Sequence, residues 1–240
     1  MTSRVGVMKP KSIAIIPDGN RRFASKGNLS VQNAYSAGFR KVEEVLKWAK
    51  GAGISNITFW ALSLENYNRR SRLELRILFA LMRRKLRQSI RDKTFEKRKV
   101  RVEFFGKLEL LPKDLQDMFT ELEESTSRFK NTLGIALAYS GREEIVTATK
   151  KILVDFYGKG NTAQKVAGLT EKDFEKYLYS PDSPDLIIRT GGVSRLSGFL
   201  PWQTAYSELY FSQKLWPEFD ENDFKDALEF YEHTERRFGR

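Results

Sequence analysis

The stretch that decides the fold is SIAIIPDGNRRF, from Ser12 to Phe23. Its first five residues, Ser12–Ile16, form a short apolar run, and a polar loop and a helical pattern follow directly. Four further apolar runs are flanked by amphipathic stretches in the same way: Asn56–Leu62, Val100–Phe105, Leu133–Ala138 and Asp185–Ile188. This alternation predicts an α/β fold, in which a central, mostly parallel sheet is flanked by helices.

The chain has a length compatible with one domain. Its 240 residues contain no internal repeat, no low-complexity segment and no extended Gly/Pro linker. We therefore expect a single domain over residues 1–240, with residues 1–10 as a flexible N-terminal segment.

The composition excludes several kinds of site. There is no Cys, and the one His, His233, lies in a charged helical pattern near the C-terminus. Disulfides, thiol nucleophiles and zinc sites of the Cys/His kind are therefore excluded, and a Ser-His-Asp triad is disfavoured. A bound metal would be held by carboxylates, which points to Mg²⁺. No apolar run approaches the roughly 18 residues that span a bilayer, so we expect a cytoplasmic protein.

Positive charge is concentrated in one segment. The formal net charge is +11, and residues 69–101 contain 14 Lys and Arg against 3 Asp and Glu. Within it, Arg72–Arg91 has the period of an amphipathic helix with a basic exterior. Such a segment fits an exposed helix face, a nucleic-acid surface or contact with an anionic membrane. Aromatic residues do not alternate with these arginines, so we expect no nucleic-acid partner, while peripheral membrane contact stays compatible.

Polar clusters follow three of the predicted strands, where open parallel sheets bind ligands. The clusters are Asp18-Gly19-Asn20-Arg21-Arg22-Phe23, Ser63-Leu64-Glu65-Asn66-Tyr67-Asn68-Arg69, and Arg189-Thr190-Gly191-Gly192 with Arg195-Leu196-Ser197. Glycine lets backbone amides approach an anion, and arginine binds phosphate oxygens bidentately. Ordinary turns and internal ion pairs are the competing explanation. If the strands are neighbours, the clusters meet in a crevice that suits two phosphorylated ligands bridged by Mg²⁺.

Longer segments carry a more specific signal. They are IAIIPDGNRRFA, TFWALSLENYNR, DLIIRTGGVSRLSGFLPWQTAYSELYF, LWPEFDENDF and ERRFG, in this order along the chain. They resemble the ordered motifs of the cis-prenyltransferases, the family of undecaprenyl and dehydrodolichyl diphosphate synthases. The resemblance runs from about Lys11 to the C-terminus.

The resemblance implies a homodimeric, Mg²⁺-dependent enzyme with a hydrophobic tunnel for the growing chain. It implies condensation of isopentenyl diphosphate with an allylic prenyl diphosphate to form a cis (Z) polyprenyl diphosphate. A homologue with another acceptor or short products is an alternative, and the lipid product adds to the case for peripheral membrane contact. No Asp-Asp-x-x-Asp cluster occurs, so a trans-prenyltransferase mechanism is unsupported.

The same resemblance implies roles for individual residues. Asp18 and Asn66 are catalytic, Asn66 through proton removal, and Asp18 and Glu208 bind the metal. The allylic diphosphate and its chain are bound by Gly19, Asn20, Arg21, Arg22, Phe23, Tyr35, Ser63, Leu64, Glu65, Tyr67 and Arg69. Isopentenyl diphosphate is bound by Arg189, Arg195, Leu196 and Ser197, together with Arg237 and Gly239, which reach across the dimer. The aromatic rings of Phe23 and Tyr67 can shield a carbocation.

Two positions depart from the family pattern near the allylic site. Val31 stands where an arginine is common, and Tyr35 where a histidine is common. Valine donates no hydrogen bond, which predicts weaker binding of the allylic diphosphate and shorter products, although the Tyr35 hydroxyl can donate to the same group. Val193 and Ser194 also replace more polar residues next to Arg195.

Two rival functions follow from the same residues. One is a catalytically silent partner subunit of the same fold, which the presence of Asp18 argues against. The other is a basic nucleic-acid-binding α/β protein. Product length is set by helix packing around Ala80 and Met82, which the sequence does not fix.

Overall fold

The computed structural model describes residues 9–158 and 162–234, which form one sheet of six parallel strands flanked by helices. The strands are β1 (Ser12–Ile16), β2 (Asn56–Ser63), β3 (Val100–Phe105), β4 (Asn131–Tyr139), β5 (Leu186–Arg189) and β6 (Glu208–Phe211). Their order across the sheet is β3-β4-β2-β1-β5-β6. The predicted α/β fold is confirmed.

Ten helices connect the strands within the described residues. They are α1 (Asn20–Lys26), α2 (Val31–Ala52), α3 (Leu64–Arg69), α4 (Arg72–Arg91), α5 (Thr94–Arg98), α6 (Lys113–Thr126), α7 (Gly141–Gly158), α8 (Thr162–Ala167), α9 (Glu171–Glu175) and α10 (Glu221–His233). Among these described helices, none is both long and apolar enough to cross a membrane.

The strand predictions were close, with one omission. β1 and β3 have the predicted bounds, β2 and β4 are slightly longer, and β5 is shifted by one residue. β6 was missed. It has only four residues, it lies at the edge of the sheet, and it is only partly buried, so no continuous apolar run marks it.

Both faces of β1 are buried, which explains its continuous apolar sequence. Ile13 and Ile15 pack into a cluster with residues of α2 and α10, whereas Ala14 and Ile16 pack into another cluster that contains Phe199. β1 therefore lies at the centre of the sheet, between β2 and β5. This position brings the carboxyl ends of the three strands together, and with them the three polar clusters.

The helix predicted over Arg72–Arg91 is α4, with the predicted bounds. Ser71 caps its N-terminus, because the Ser71 hydroxyl accepts a hydrogen bond from the Glu74 backbone N–H at 3.2 Å. Leu78, Leu81, Met82 and Leu86 are buried on the predicted apolar face. Leu73, in the first turn of the helix, is 63% exposed. Ala80 is also exposed, so of the two tunnel positions only Met82 faces the interior.

Candidate functional site

The loop after β1 fixes Asp18 at the end of the strand. Its backbone carbonyl accepts hydrogen bonds from the Thr190 hydroxyl at 2.8 Å and the Trp216 backbone N–H at 2.9 Å. Gly19 follows with φ of +118°, and a Cβ there would lie 2.9 Å from the Leu215 backbone, so glycine is required. These contacts fix the Asp18 backbone, and its side chain lines the crevice.

Two guanidinium groups bind the Asp18 carboxylate. Arg22 Nη2 lies 3.1 Å from Oδ1, and Arg189 Nη2 lies 3.0 Å from Oδ2. Arg22 also donates to the Gly191 carbonyl at 2.6 Å, which ties α1 to the loop after β5. The Asp18 side chain is 33% exposed, so it can still contact a ligand.

The end of β2 supplies the second cluster. The Ser63 hydroxyl accepts the Asn66 backbone N–H at 2.9 Å and so caps α3. Ser63, Glu65, Asn66 and Arg69 all line the crevice. The hydroxyl of Ser63 is occupied by this cap, which gives it a structural role as well as a place in the crevice wall.

The loop after β5 supplies the third cluster. Arg189 is nearly buried, and its Nη1 donates to the Ser197 hydroxyl at 2.7 Å and to the Arg195 carbonyl. Ser197, whose hydroxyl accepts this hydrogen bond, has φ of +55°, a conformation uncommon for residues other than glycine. Arg189 therefore connects this loop to Asp18.

The three clusters enclose one cavity of about 710 Å³. Six guanidinium groups and two carboxylates line it, an excess of four positive charges that favours anionic ligands. The charged residues are Asp18, Arg21, Arg22, Glu65, Arg69, Arg70, Arg189 and Arg195. Apolar side chains of α2 and α4 line the same cavity: Phe39, Val42, Leu78 and Met82.

Most of the predicted site residues meet in this cavity. They are Asp18, Gly19, Asn20, Arg21, Arg22, Tyr35, Ser63, Glu65, Asn66, Arg69, Arg189, Arg195 and Ser197. Others do not line it: Phe23, Leu64, Tyr67, Leu196 and Glu208. Tyr67, for example, turns its hydroxyl to the Leu110 carbonyl at 2.8 Å. Arg237 and Gly239 lie outside the described residues.

Glu208 is separated from Asp18 within the protomer. It is the first residue of β6 and pairs with Leu186, whereas Arg189, the partner of Asp18, pairs with Phe211. Glu208 and Phe211 are three residues apart along β6, which is roughly 10 Å at about 3.3 Å per residue. The protomer therefore does not bring the two predicted metal ligands together.

Val31 and Tyr35 were both predicted to lie near the allylic diphosphate, and the structure gives them different surroundings. Val31 packs against the apolar cluster between α2, α4 and α6, and it does not line the cavity. The Tyr35 ring lines the cavity, but its hydroxyl donates to Glu74 Oε1 at 2.7 Å. Burial, the largest effect, together with Glu74 raises the pKa of Tyr35 to about 12, although Arg70 and Arg21 oppose the shift. The hydroxyl is therefore engaged by Glu74, and not free for a diphosphate.

Several lining residues were missed by sequence reasoning. They are Arg70 and the aromatic residues Phe39, Phe59, Trp60 and Trp216. Trp216 Nε1 donates to the Gly38 carbonyl at 3.0 Å, which holds α2 against the site. The sequence signal for Trp216 was its place in the LWPEFDENDF segment, and that for Phe59 and Trp60 was their place in TFWALSLENYNR. Phe39 lies in none of the quoted segments and has no signal beyond being apolar.

Asp18 fits a role in metal binding. Among the described residues, no three His, Asp or Glu side chains are grouped to hold a metal ion. Mg²⁺ commonly takes only one or two protein carboxylates and completes its coordination with phosphate oxygens and water. The partly exposed carboxylate of Asp18, in a cavity suited to phosphates, matches that donor set.

Comparison with known proteins gives a consistent result. The sequence model of a family described as "Putative undecaprenyl diphosphate synthase" matches residues 16–239. A tritrans,polycis-undecaprenyl-diphosphate synthase (geranylgeranyl-diphosphate specific) of Sulfurisphaera tokodaii is 42% identical over 96% of this chain and 88% of its own length. The enzyme of the same name from Thermoplasma acidophilum is 43% identical over 97% of this chain and 90% of its own length.

A solved structure shares the fold closely. The structure of lavandulyl diphosphate synthase from Lavandula x intermedia, in complex with dimethylallyl diphosphate, superimposes with a TM-score of 0.88 and 33% identity. The match covers 97% of this chain and 99% of that chain. Fold, ordered motifs and full-length similarity agree, and the chain belongs to the undecaprenyl diphosphate synthase family, the cis-prenyltransferases.

Proposed function

We propose that the protein condenses isopentenyl diphosphate with an allylic prenyl diphosphate and so lengthens a prenyl chain with cis geometry. The observation that carries this proposal is the composition of the cavity wall. Arginines at three strand ends line one part, and apolar side chains of α2 and α4 line another. A prenyl diphosphate has the same two parts, an anionic head and an apolar tail, so the wall is complementary to it.

The polar residues divide between the two diphosphates. Arg21, Arg22 and Arg69, which line the cavity together with Asp18, are proposed to bind the allylic diphosphate. Arg189, Arg195 and Ser197, after β5, are proposed to bind isopentenyl diphosphate. The C–O bond of the allylic substrate breaks and its diphosphate leaves with the electron pair, while the terminal alkene carbon of isopentenyl diphosphate bonds to the allylic carbon. A proton is then lost from the isopentenyl unit, and Asn66 is the residue proposed to assist.

Fixed positive charge is proposed to accelerate departure of the diphosphate. The leaving diphosphate gains negative charge in the transition state, so guanidinium groups oriented in advance stabilise that state more than the bound substrate. The cationic allylic carbon needs an apolar and aromatic environment. Phe59, Trp60 and Trp216 line the cavity, whereas Phe23 and Tyr67 do not, so the former are better placed for this role.

Dependence on Mg²⁺ is part of the proposal. When bound, Mg²⁺ would neutralise diphosphate charge as a Lewis acid. Asp18 is the side chain of this chain proposed to hold it, with phosphate oxygens as further ligands. The distance along β6 leaves the assignment of Glu208 without support from the protomer.

We also propose a homodimer, and one face of α7 supports it. Val146, Leu153, Val154 and Tyr157 are all at least half exposed, and their spacing places them on one side of the helix. A row of exposed apolar side chains is typical of an interface. The roles of Arg237 and Gly239 across this dimer stay a prediction from the family resemblance.

The basic segment is proposed to contact anionic membranes at the periphery. The described side chains of Arg72, Arg76, Arg84 and Arg87 are exposed on α4. A nucleic-acid function is not favoured, because the similar proteins are prenyl diphosphate synthases and because Arg83, Lys85, Arg91 and Arg101 pair with carboxylates.

Product analysis tests the proposed function. The protein is incubated with isopentenyl diphosphate and, in turn, dimethylallyl, farnesyl and geranylgeranyl diphosphate, and the products are identified by mass spectrometry. We expect prenyl diphosphates longer than the primer, and geranylgeranyl diphosphate is the first choice because two relatives are named as specific for it. Absence of elongated product with every primer would contradict the proposal.

A further inference from the structure

Arg70 has a buried polar atom with no hydrogen-bond partner. It is the residue directly after α3, and its side chain is only 13% exposed while it lines the cavity. Within the described part of the chain, the Arg70 Nε is buried and donates a hydrogen bond to no acceptor. The nearest carboxylate oxygen to Nε, Glu74 Oε1, is 3.9 Å away, beyond hydrogen-bond distance. A buried N–H without an acceptor is costly, so this position favours an added acceptor such as a phosphate oxygen.

The Arg70 side chain is nevertheless held in place. Its guanidinium carbon lies 5.4 Å from the centroid of the Tyr35 ring, within the range of a cation–π contact. The Tyr35 hydroxyl donates to Glu74, and the Arg70 backbone N–H donates to the Asn66 carbonyl at 2.9 Å. Ring, carboxylate and backbone therefore fix the guanidinium before any ligand arrives. A group fixed in advance loses less entropy on binding than a mobile one.

The location of Arg70 fits the allylic side of the cavity. The Arg70 guanidinium lies over the Tyr35 ring, and Arg21 lines the same cavity as both residues. Arg189 and Arg195 belong to the loop after β5, beside Asp18 and Ser197. Val31 supplies no charge and packs away from the cavity. The positive charge that Val31 at the start of α2 does not supply is thus supplied by Arg70, the residue after α3, whose guanidinium lies over the Tyr35 ring.

We propose that Arg70 binds the diphosphate of the allylic substrate, with Tyr35 and Glu74 as positioning residues. This inference rests on the proposed function and adds a binding residue to it. The planar fork of Arg70 can give two parallel hydrogen bonds to phosphate oxygens, which lysine cannot. Because the charge of that diphosphate grows as the C–O bond breaks, Arg70 stabilises the leaving group as well as the bound substrate.

The test compares the full-length protein with Arg70→Gln, Arg70→Lys and the control Arg40→Gln. Arg40 is an exposed arginine of α2 that lies outside the basic segment and does not line the cavity. Binding of geranylgeranyl diphosphate without isopentenyl diphosphate, and of inorganic pyrophosphate, is measured by calorimetry. KM for each substrate and kcat are then measured in the complete reaction, and thermal unfolding checks that each variant is folded.

We expect Arg70→Gln to weaken binding of geranylgeranyl diphosphate by about 10- to 150-fold, the range for one hydrogen bond to a charged group. KM for isopentenyl diphosphate should stay within about twofold, because its proposed arginines are untouched. Arg70→Lys should restore part of the loss, and Tyr35→Phe should cause a smaller loss because the ring remains under the guanidinium. Arg40→Gln should match the wild type.

The outcomes separate this inference from the proposed function. If the wild type elongates a primer but Arg70→Gln binds geranylgeranyl diphosphate normally, the role of Arg70 is wrong and the proposed function stands. If both substrates lose affinity equally in a folded Arg70→Gln protein, Arg70 maintains the cavity as a whole and the inference is again wrong. If the wild type elongates no primer, the proposed function fails and the inference fails with it.

Discussion

Arg189 and Asp18 are 171 residues apart in the sequence, yet Arg189 Nη2 donates to Asp18 Oδ2 at 3.0 Å. The contact joins the ends of β1 and β5, which are neighbours in the sheet. It orients the partly exposed carboxylate through a nearly buried guanidinium. The pair therefore couples the two diphosphate regions proposed for this cavity, and it suggests the first experiment.

Asp18→Asn should remove activity while the protein stays folded. The substitution keeps the shape of the side chain but removes the charge that Arg22, Arg189 and a metal ion would use. We expect kcat to fall by about 10²-fold or more, the scale for loss of one preorganised electrostatic group. The thermal unfolding midpoint should fall, because the nearly buried Arg189 loses its paired charge, but the protein should stay folded since Arg189 keeps its hydrogen bonds to Ser197 and Arg195.

Asp117→Asn is the matched control for this substitution. Asp117 pairs with Lys113 at 2.8 Å on the exposed surface of α6, away from the cavity. Both its activity and its stability should equal those of the wild type. A folded Asp18→Asn protein with full activity would falsify the role of Asp18.

The sequence predicts the polar wall of the cavity better than the apolar wall. Three clusters follow strands, and once the strands are parallel neighbours, their ends must meet. Phe23 and Tyr67 were less predictable, because they lie on the short helices α1 and α3, whose rotation depends on tertiary packing. Arg70 was missed for a similar reason. Its role depends on the Tyr35 ring, 35 positions earlier in the sequence, and no local pattern reports that contact.

Gly191→Ala tests whether the loop after β5 must pass close to Arg22. Gly191 has φ of +90°, and a Cβ there would lie 2.4 Å from Arg22 Nη2. We expect Arg22 to be displaced from Asp18, and activity to fall more than stability does. A residue other than glycine in this backbone conformation also costs about 1–2 kcal/mol.

Gly53→Ala is the matched control, because it has the cost of a positive φ without a contact like that between position 191 and Arg22. Gly53 has φ of +79°, and nothing lies within 4 Å of its added Cβ. It should lose similar stability, measured by chemical denaturation, but keep its activity. Equal activity of the two variants would show that the Arg22 contact is unimportant.

Arg195→Gln should weaken the binding of isopentenyl diphosphate and leave the binding of the allylic primer unchanged. Arg195 lines the cavity beside Arg189, and its carbonyl accepts a hydrogen bond from that residue, which the substitution preserves. KM for isopentenyl diphosphate should rise about 10- to 150-fold, the range for one charged hydrogen bond. The KM for the allylic primer should stay unchanged. If the primer KM rises and the KM for isopentenyl diphosphate does not, the assignment of the two diphosphate sites is reversed.

Mg²⁺ should bind strongly only when a diphosphate is present. Asp18 is one carboxylate, and the described residues offer no cluster of three acidic or histidine side chains. Chelation with EDTA should therefore abolish turnover, and excess Mg²⁺ should restore it. In calorimetry, Mg²⁺ should bind more tightly to protein mixed with inorganic pyrophosphate than to pyrophosphate alone or to protein alone, and Asp18→Asn should remove this excess. Tight Mg²⁺ binding to the protein alone would point to a further protein ligand.

The exposed apolar face of α7 should be the dimer interface. Val154 is 75% exposed and Tyr157 84%, on the same side of the helix as Val146 and Leu153. The double variant Val154→Glu, Tyr157→Glu places two carboxylates on this face, and burying them unpaired in an interface would be costly. We expect a dimer-to-monomer change in light scattering coupled to size-exclusion chromatography.

Leu73→Glu is the matched control for the α7 variant. Leu73 is 63% exposed on α4, so its substitution also adds a charge at an exposed apolar position. It should stay dimeric, and circular dichroism should show that both proteins are folded. If the partner completes each active site, as the family resemblance implies for Arg237 and Gly239, activity should fall together with the dimer fraction. A monomeric α7 variant with full activity would show that each site is complete within one protomer, and a dimeric variant would place the interface on another face.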